Sequence, residues 1–153
     1  MSLESRHGWQ DLYLSLGAWP ERIMAAVRSG TRERDEIDFY LCFFVQCHSL
    51  RDWVVGSGLL NKDDIHDAVD SYPCMRLCAD IANRYKHLTI TRPKDDPNWE
   101  LWINHDRPDA AVSVTANGKV WLLWELMIEC IGFWEAASAA YHLDARSKIF
   151  RPS

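Results

Sequence analysis

No stretch of this chain is long and apolar enough to cross a bilayer as a helix, which takes about 20 residues. The most apolar run, Val120 to Trp134, is interrupted by Glu125 and Glu129 and stops short. Paired CxxC spacing is missing too: the five cysteines are odd in number and scattered. With no signal peptide at the N-terminus, reduced thiols in a cytoplasmic protein are the expectation. An excess of base is also lacking. With 17 basic against 22 acidic residues the net charge is −5, so any affinity for nucleic acid has to come from a local patch. There is no HExxH motif, no internal repeat and no low-complexity segment. What remains is an ordinary globular balance, 48% apolar and 25% charged, in 153 residues, the size of one domain. Eight tryptophans are many for this length, and since tryptophan anchors interfaces as well as cores, a homodimer or a protein partner is expected.

Hydrophobic periodicity reads as mainly α: a single helical domain over 1–153, with a small antiparallel β meander at about 89–120 inserted before the last helix. Trp9, Leu12, Tyr13 and Leu16 repeat at helical spacing, and Gly17 is expected to end that short helix. Pro20 then opens a second helix and Gly30 stops it. Thr31 is placed to cap a long helix reaching about Val55, before Gly56-Ser57-Gly58. In that helix Ile37, Leu41, Phe44, His48, Arg51 and Val55 form one stripe, and Tyr40, Phe43, Cys47, Leu50 and Val54 an adjacent one. Asn61 caps a short helix to Ser71, and Pro73 begins another to about Leu88. Alternation over 89–91, 99–103 and 111–115, with Asn117-Gly118 as a two-residue turn, gives the meander. A helix from about Trp121 to Tyr141 carries a very wide apolar face, fit for central burial or a dimer interface, and a short tail covers about 144–153.

Chemistry concentrates at two helix ends. His48, Arg51 and Asp52 lie within one turn or so of each other, and Arg76, Asp80, Asn83 and His87 make a polar row on the later helix. If the two faces meet, His87 or His48 can serve as base or acid while Arg84 or Arg51 stabilises an anion and Asn83 supplies a neutral hydrogen bond, the parts of metal-independent RNA cleavage. From Arg84 to Lys94 four basic residues, Arg84, Lys86, Arg92 and Lys94, run without an acid. Of these, Lys86, Arg92 and Lys94, with Asp52 and Asp80, are the candidate substrate contacts. The same residues also suit a structural ion-pair network. Metal readings are His48, Asp52, Asp80 and His87 from two helices, or Cys74 and Cys78 one turn apart with Cys47 and His48. No motif backs either set, so no metal and no cofactor is expected.

The stretch Ala82-Asn83-Arg84-Tyr85-Lys86-His87, late in a core helix, resembles the signature of the HEPN superfamily (higher eukaryotes and prokaryotes nucleotide-binding domains). That signature is an arginine, then usually Asn, Asp or His, then three residues and a histidine. Asn83 and His87 fall in register, while Ala82 stands where the arginine would be. The resemblance covers these six residues and loosely the helical layout from Thr31 to Tyr141. It implies a dimer whose motifs face each other across a cleft, often a ribonuclease of bacterial defence or toxin–antitoxin systems, with many members acting as non-catalytic binding domains. A second expectation, independent of it, is an interaction module that docks through Trp99, Trp102, Trp121, Trp124 and Trp134.

Overall fold

The computed structural model describes residues 8–30, 33–86, 98–104 and 112–141; the side chains of residues 33–34 and 86 are not described. The expected Thr31 cap, the strand at 89–91, His87, Arg92, Lys94 and the 144–153 tail lie outside the described residues.

The chain folds as expected, mainly α with a small sheet before the last helix. The elements are α1 (Trp9–Arg28), α2 (Glu33–Gly56), α3 (Lys62–Asp70), α4 (Pro73–Lys86), β1 (Glu100–Ile103), β2 (Val112–Ala116), β3 (Lys119–Leu122) and α5 (Leu123–Ala140). One core draws residues from every helix and from the sheet.

α1 corrects the first expectation, because it runs unbroken through Gly17 and Pro20. A helix-interior proline costs about 3 kcal/mol, since it removes a donor and crowds the carbonyl four residues back. Here Trp9, Leu16, Trp19, Ile23 and Ala26 all bury along one face that continues across both residues. Burial of two indoles and three aliphatic side chains outweighs the local penalty. Gln46 of α2 then ties the helices together, its Oε1 accepting from Trp19 Nε1 at 2.8 Å and from Ser15 Oγ at 3.2 Å.

α2 is the central helix. Both of its predicted stripes are used: Tyr40, Phe43, Cys47, Leu50 and Val54 are buried, and so are Ile37, Leu41, Phe44 and His48. It packs most extensively against α1 on one side and α4 on the other. α4 runs antiparallel to it, since Cys78 meets Phe44 and Cys47 while Arg84 and Tyr85 come level with Ile37 and Leu41. The Asn61 cap of α3 forms as expected, with Oδ1 accepting from the Asp63 amide at 2.8 Å.

The sheet is antiparallel in the order β1-β2-β3, with Leu101 opposite Val114 and Val114 opposite Trp121. Asn117 and Gly118 both adopt positive φ, 50° and 72°, as a type I′ turn requires. Val112, Val114 and Ala116 bury one face of β2, which lies against α5. β3 passes into α5 without a loop: Leu122 is both the last strand residue and the N-cap. The wide face of α5 is spent on central burial, with Leu123, Leu126, Met127, Cys130, Phe133, Trp134 and Ala137 all buried.

Candidate functional site

Trp99 decides where the sheet sits. Its ring is buried, its Nε1 donates to the Asp80 carbonyl at 3.3 Å, and its own carbonyl accepts from Arg84 Nη1. The Arg84 guanidinium also stacks over the Trp99 ring, 4.7 Å from its centroid. These contacts fasten the start of β1 to the last turns of α4 and leave a groove of about 560 Å³ between them. Arg84, Tyr85, Trp99, Glu100, Leu101 and Trp102 line it, over a floor of Ile37 and Leu41. Tyr85 is 48% exposed and Trp102 54%, so two aromatic side chains keep about half their surface open on the lining that carries the Arg84 guanidinium. Asn83 is half-buried on the same helix.

The other candidate residues collect elsewhere. His48 and Arg51 lie on the C-terminal half of α2, about 10–15 Å along the helix from Leu41 at 1.5 Å per residue. They are therefore not level with Asn83 and Arg84, which lie beside Ile37 and Leu41 at the other end of α2. His48 is buried, and its Nε2 lies 3.3 Å from Arg51 Nη2. Guanidinium only donates, so in this contact Nε2 can serve only as the acceptor. Arg51 also approaches Asp52 at 3.7 Å, and His66 of α3 comes within 3.9 Å of the same carboxylate. Burial and the Arg51 charge push the His66 pKa below its ordinary value, against a smaller opposing pull from Asp52. This is the structural network that the sequence offered as the alternative to catalysis. Nothing in the helical spacing pointed to His66, whose place depends on how α3 folds back.

Of the expected substrate contacts, Asp52 is largely exposed, while Asp80 is fully buried and stands away from solvent-borne substrate. Its position follows from helical geometry: it faces the packed side of α4, where its carbonyl receives Trp99. The tryptophan docking face is corrected in the same way. Trp99, Trp121 and Trp134 are buried in the core, and only Trp102 of that group is largely exposed.

A further concentration of reactive groups lies in the core. Cys47, Cys78 and Cys130 have sulfurs all within 4.8 Å of one another, the sole group of three or more potential metal ligands among the described residues. His48, Asp52 and Asp80 do not come together in that way. Burial raises the Cys47 thiol, but hydrogen bonds from Cys130 and Cys78, with the adjoining Trp134 indole, overturn that and bring it down to about 5. Burial holds Cys78 and Cys130 well above the ordinary thiol range. Bonding from Cys130, against a smaller burial effect, lowers Cys74.

Among the described residues no helix is long and apolar enough to cross a membrane. No protein-family model, no curated protein and no solved structure matches this chain.

Proposed function

We propose that this chain binds single-stranded RNA in the groove between the end of α4 and β1. The observation that carries the reading is that Arg84 lines one groove with two aromatic residues, Tyr85 and Trp102, that are each about half exposed. Bases stack on exposed aromatic rings at about 1–3 kcal/mol each, and a guanidinium beside them pairs with phosphate. In sequence, Arg84 opens the basic run that continues with Lys86, Arg92 and Lys94, the local excess of base that an acidic chain needs for such a partner. The dimer implied by the HEPN resemblance belongs to the same reading, with two such grooves side by side.

Binding is favoured over cleavage on one point. Ala82 is fully buried, so the position where the superfamily carries its arginine faces the core here. The cleaving form of the proposal keeps His87 as the proton-transfer group, with Asn83 orienting the substrate and Arg84 holding phosphate. A labelled oligoribonucleotide titrated with protein at low salt tests binding by fluorescence anisotropy. Affinity should fall steadily as salt rises. Absence of any binding at low salt removes the proposal. Cleavage, where observed, should drop about 10²–10⁴-fold in His87→Ala, and equal rates in the two proteins would restrict the chain to binding.

A further inference from the structure

Three helices separated by up to 83 positions of sequence deliver cysteine sulfurs to one point in the core: Cys47 from α2, Cys78 from α4 and Cys130 from α5. Cys74, one turn before Cys78 and itself buried, adjoins them. Its thiol is hydrogen-bonded to Cys130, whose Sγ also reaches the Cys74 carbonyl at 3.6 Å. Four of the five cysteines therefore meet, and Cys42 alone stands apart with partial exposure. A tetrahedral ion with metal–sulfur bonds of about 2.3 Å holds its sulfurs about 3.8 Å apart. The Cys47, Cys78 and Cys130 sulfurs, already within 4.8 Å of one another, reach that spacing by small side-chain rotations, and Cys74, outside that limit but hydrogen-bonded to Cys130, turns inward to complete the set.

Two features beside the cluster favour anionic sulfur, against the burial that keeps Cys78 and Cys130 neutral in the metal-free chain. The indole N–H of Trp134, 2% exposed, has no hydrogen-bond partner and adjoins Cys47. Cys74 lies in the first turn of α4, where the helix dipole favours an anion. Donors of this kind orient and stabilise metal-bound sulfur. His48, a candidate fourth ligand on sequence grounds, is instead held by Arg51, and Cys130 takes that place.

We propose that Cys47, Cys74, Cys78 and Cys130 form a four-sulfur site for a thiophilic cation of the zinc class, which clamps α2, α4 and α5 together. The donor set selects such an ion: four sulfurs with no oxygen ligand disfavour magnesium and calcium and suit tetrahedral zinc. A closed set of four protein ligands, buried in the core, is the pattern of a structural rather than a catalytic centre. The site is separate from the RNA groove, and neither proposal depends on the other.

The test uses the full chain, reduced and freed of metal with a chelator, then titrated with Co²⁺ alone. One equivalent should produce a sulfur-to-metal charge-transfer band with the intense visible absorption of tetrahedral cobalt. One equivalent of Zn²⁺ should then abolish both and protect the core thiols from a thiol reagent. Cys42→Ser should leave the titration unchanged. Cys74→Ser, at the edge of the cluster, should weaken binding at least ten-fold while far-UV circular dichroism stays native. A folded, reduced wild-type chain that gives no charge-transfer band overturns the proposal. So does a folded Cys47→Ser variant whose band and stoichiometry match wild type.

Discussion

Replacing Trp102 and Trp99 by alanine, one at a time, separates recognition from architecture within a single groove. Trp102 is 54% exposed on β1 and sits opposite Ser113, so its removal deletes one cross-strand pair and the burial of nearly half of its side chain. The pair contributes about 0.2–1 kcal/mol and the lost burial about 1–2 kcal/mol, a folding cost that stays below that of a fully buried tryptophan. If its open face stacks a base, the same variant loses about 1–3 kcal/mol of binding, or about 5- to 150-fold in Kd. Trp99 is the opposite case: 8% exposed, with its indole donating to Asp80 and its ring beneath Arg84. Trp99→Ala should cost about 3–5 kcal/mol of folding stability, as other buried aromatic truncations do. Urea denaturation gives the first quantity and anisotropy with a labelled oligoribonucleotide gives the second. Arg84→Ala adds a third handle, because loss of one phosphate contact should reduce the slope of log affinity against log salt by about 0.7. A Trp102→Ala protein that binds RNA as tightly as wild type refutes the stacking argument, whatever its stability.

Three further outcomes follow from the fold. The lowered His66 pKa means that the unfolded chain takes up a proton before the folded one does. Stability should therefore be complete above the ordinary histidine value of about 6.5 and decline as pH falls below it, and His66→Asn should flatten that decline in urea melts at pH 7.5 and 5.5. Gln46→Leu should destabilise by about 1–3 kcal/mol, because Trp19 Nε1 and Ser15 Oγ both lose their acceptor at the α1–α2 contact; an unchanged thermal midpoint would contradict that. Two glycine-to-alanine changes should act with opposite signs. Gly17→Ala places a methyl group in open space within α1 and should stabilise by about 0.5–1 kcal/mol, whereas Gly118→Ala is strained at φ 72° and should destabilise the hairpin, as differential scanning calorimetry would show.

The long helices were legible because burial recurs at helical spacing, and α2 shows both of its stripes at the positions the pattern gave. Local punctuation was a poorer guide. Gly17 and Pro20 read as boundaries, yet Trp19 and Ile23 continue the same buried face, and packing prevailed over propensity. Asn117-Gly118 succeeded because the turn's chemistry is confined to two adjacent residues. Sites fared less well for the same reason in reverse. Arg84 was visible in its basic run, but its partner Trp99 lies 15 residues away across the chain's return to the sheet. Cys74 and Cys78 could be paired from helical spacing, whereas Cys130 joins them only through the packing of α5. Tryptophan count suggested a docking surface, but a large side chain fills a core as readily as it seals an interface, and Trp121 and Trp134 do the former.

The loop-free passage from β3 to α5 fixes the number of residues there. Inserting or deleting a single residue after Leu122 would swing every downstream side chain of α5 by about 100° around its axis. Made within β3 instead, the same change would send Trp121 to the opposite face of the sheet. Either edit would also carry Cys130 and Trp134 out of register with α2 and α4. Length variation in natural or engineered versions of this chain should therefore accumulate in the turn at 57–61, and the seam between Leu122 and Leu123 should keep its spacing.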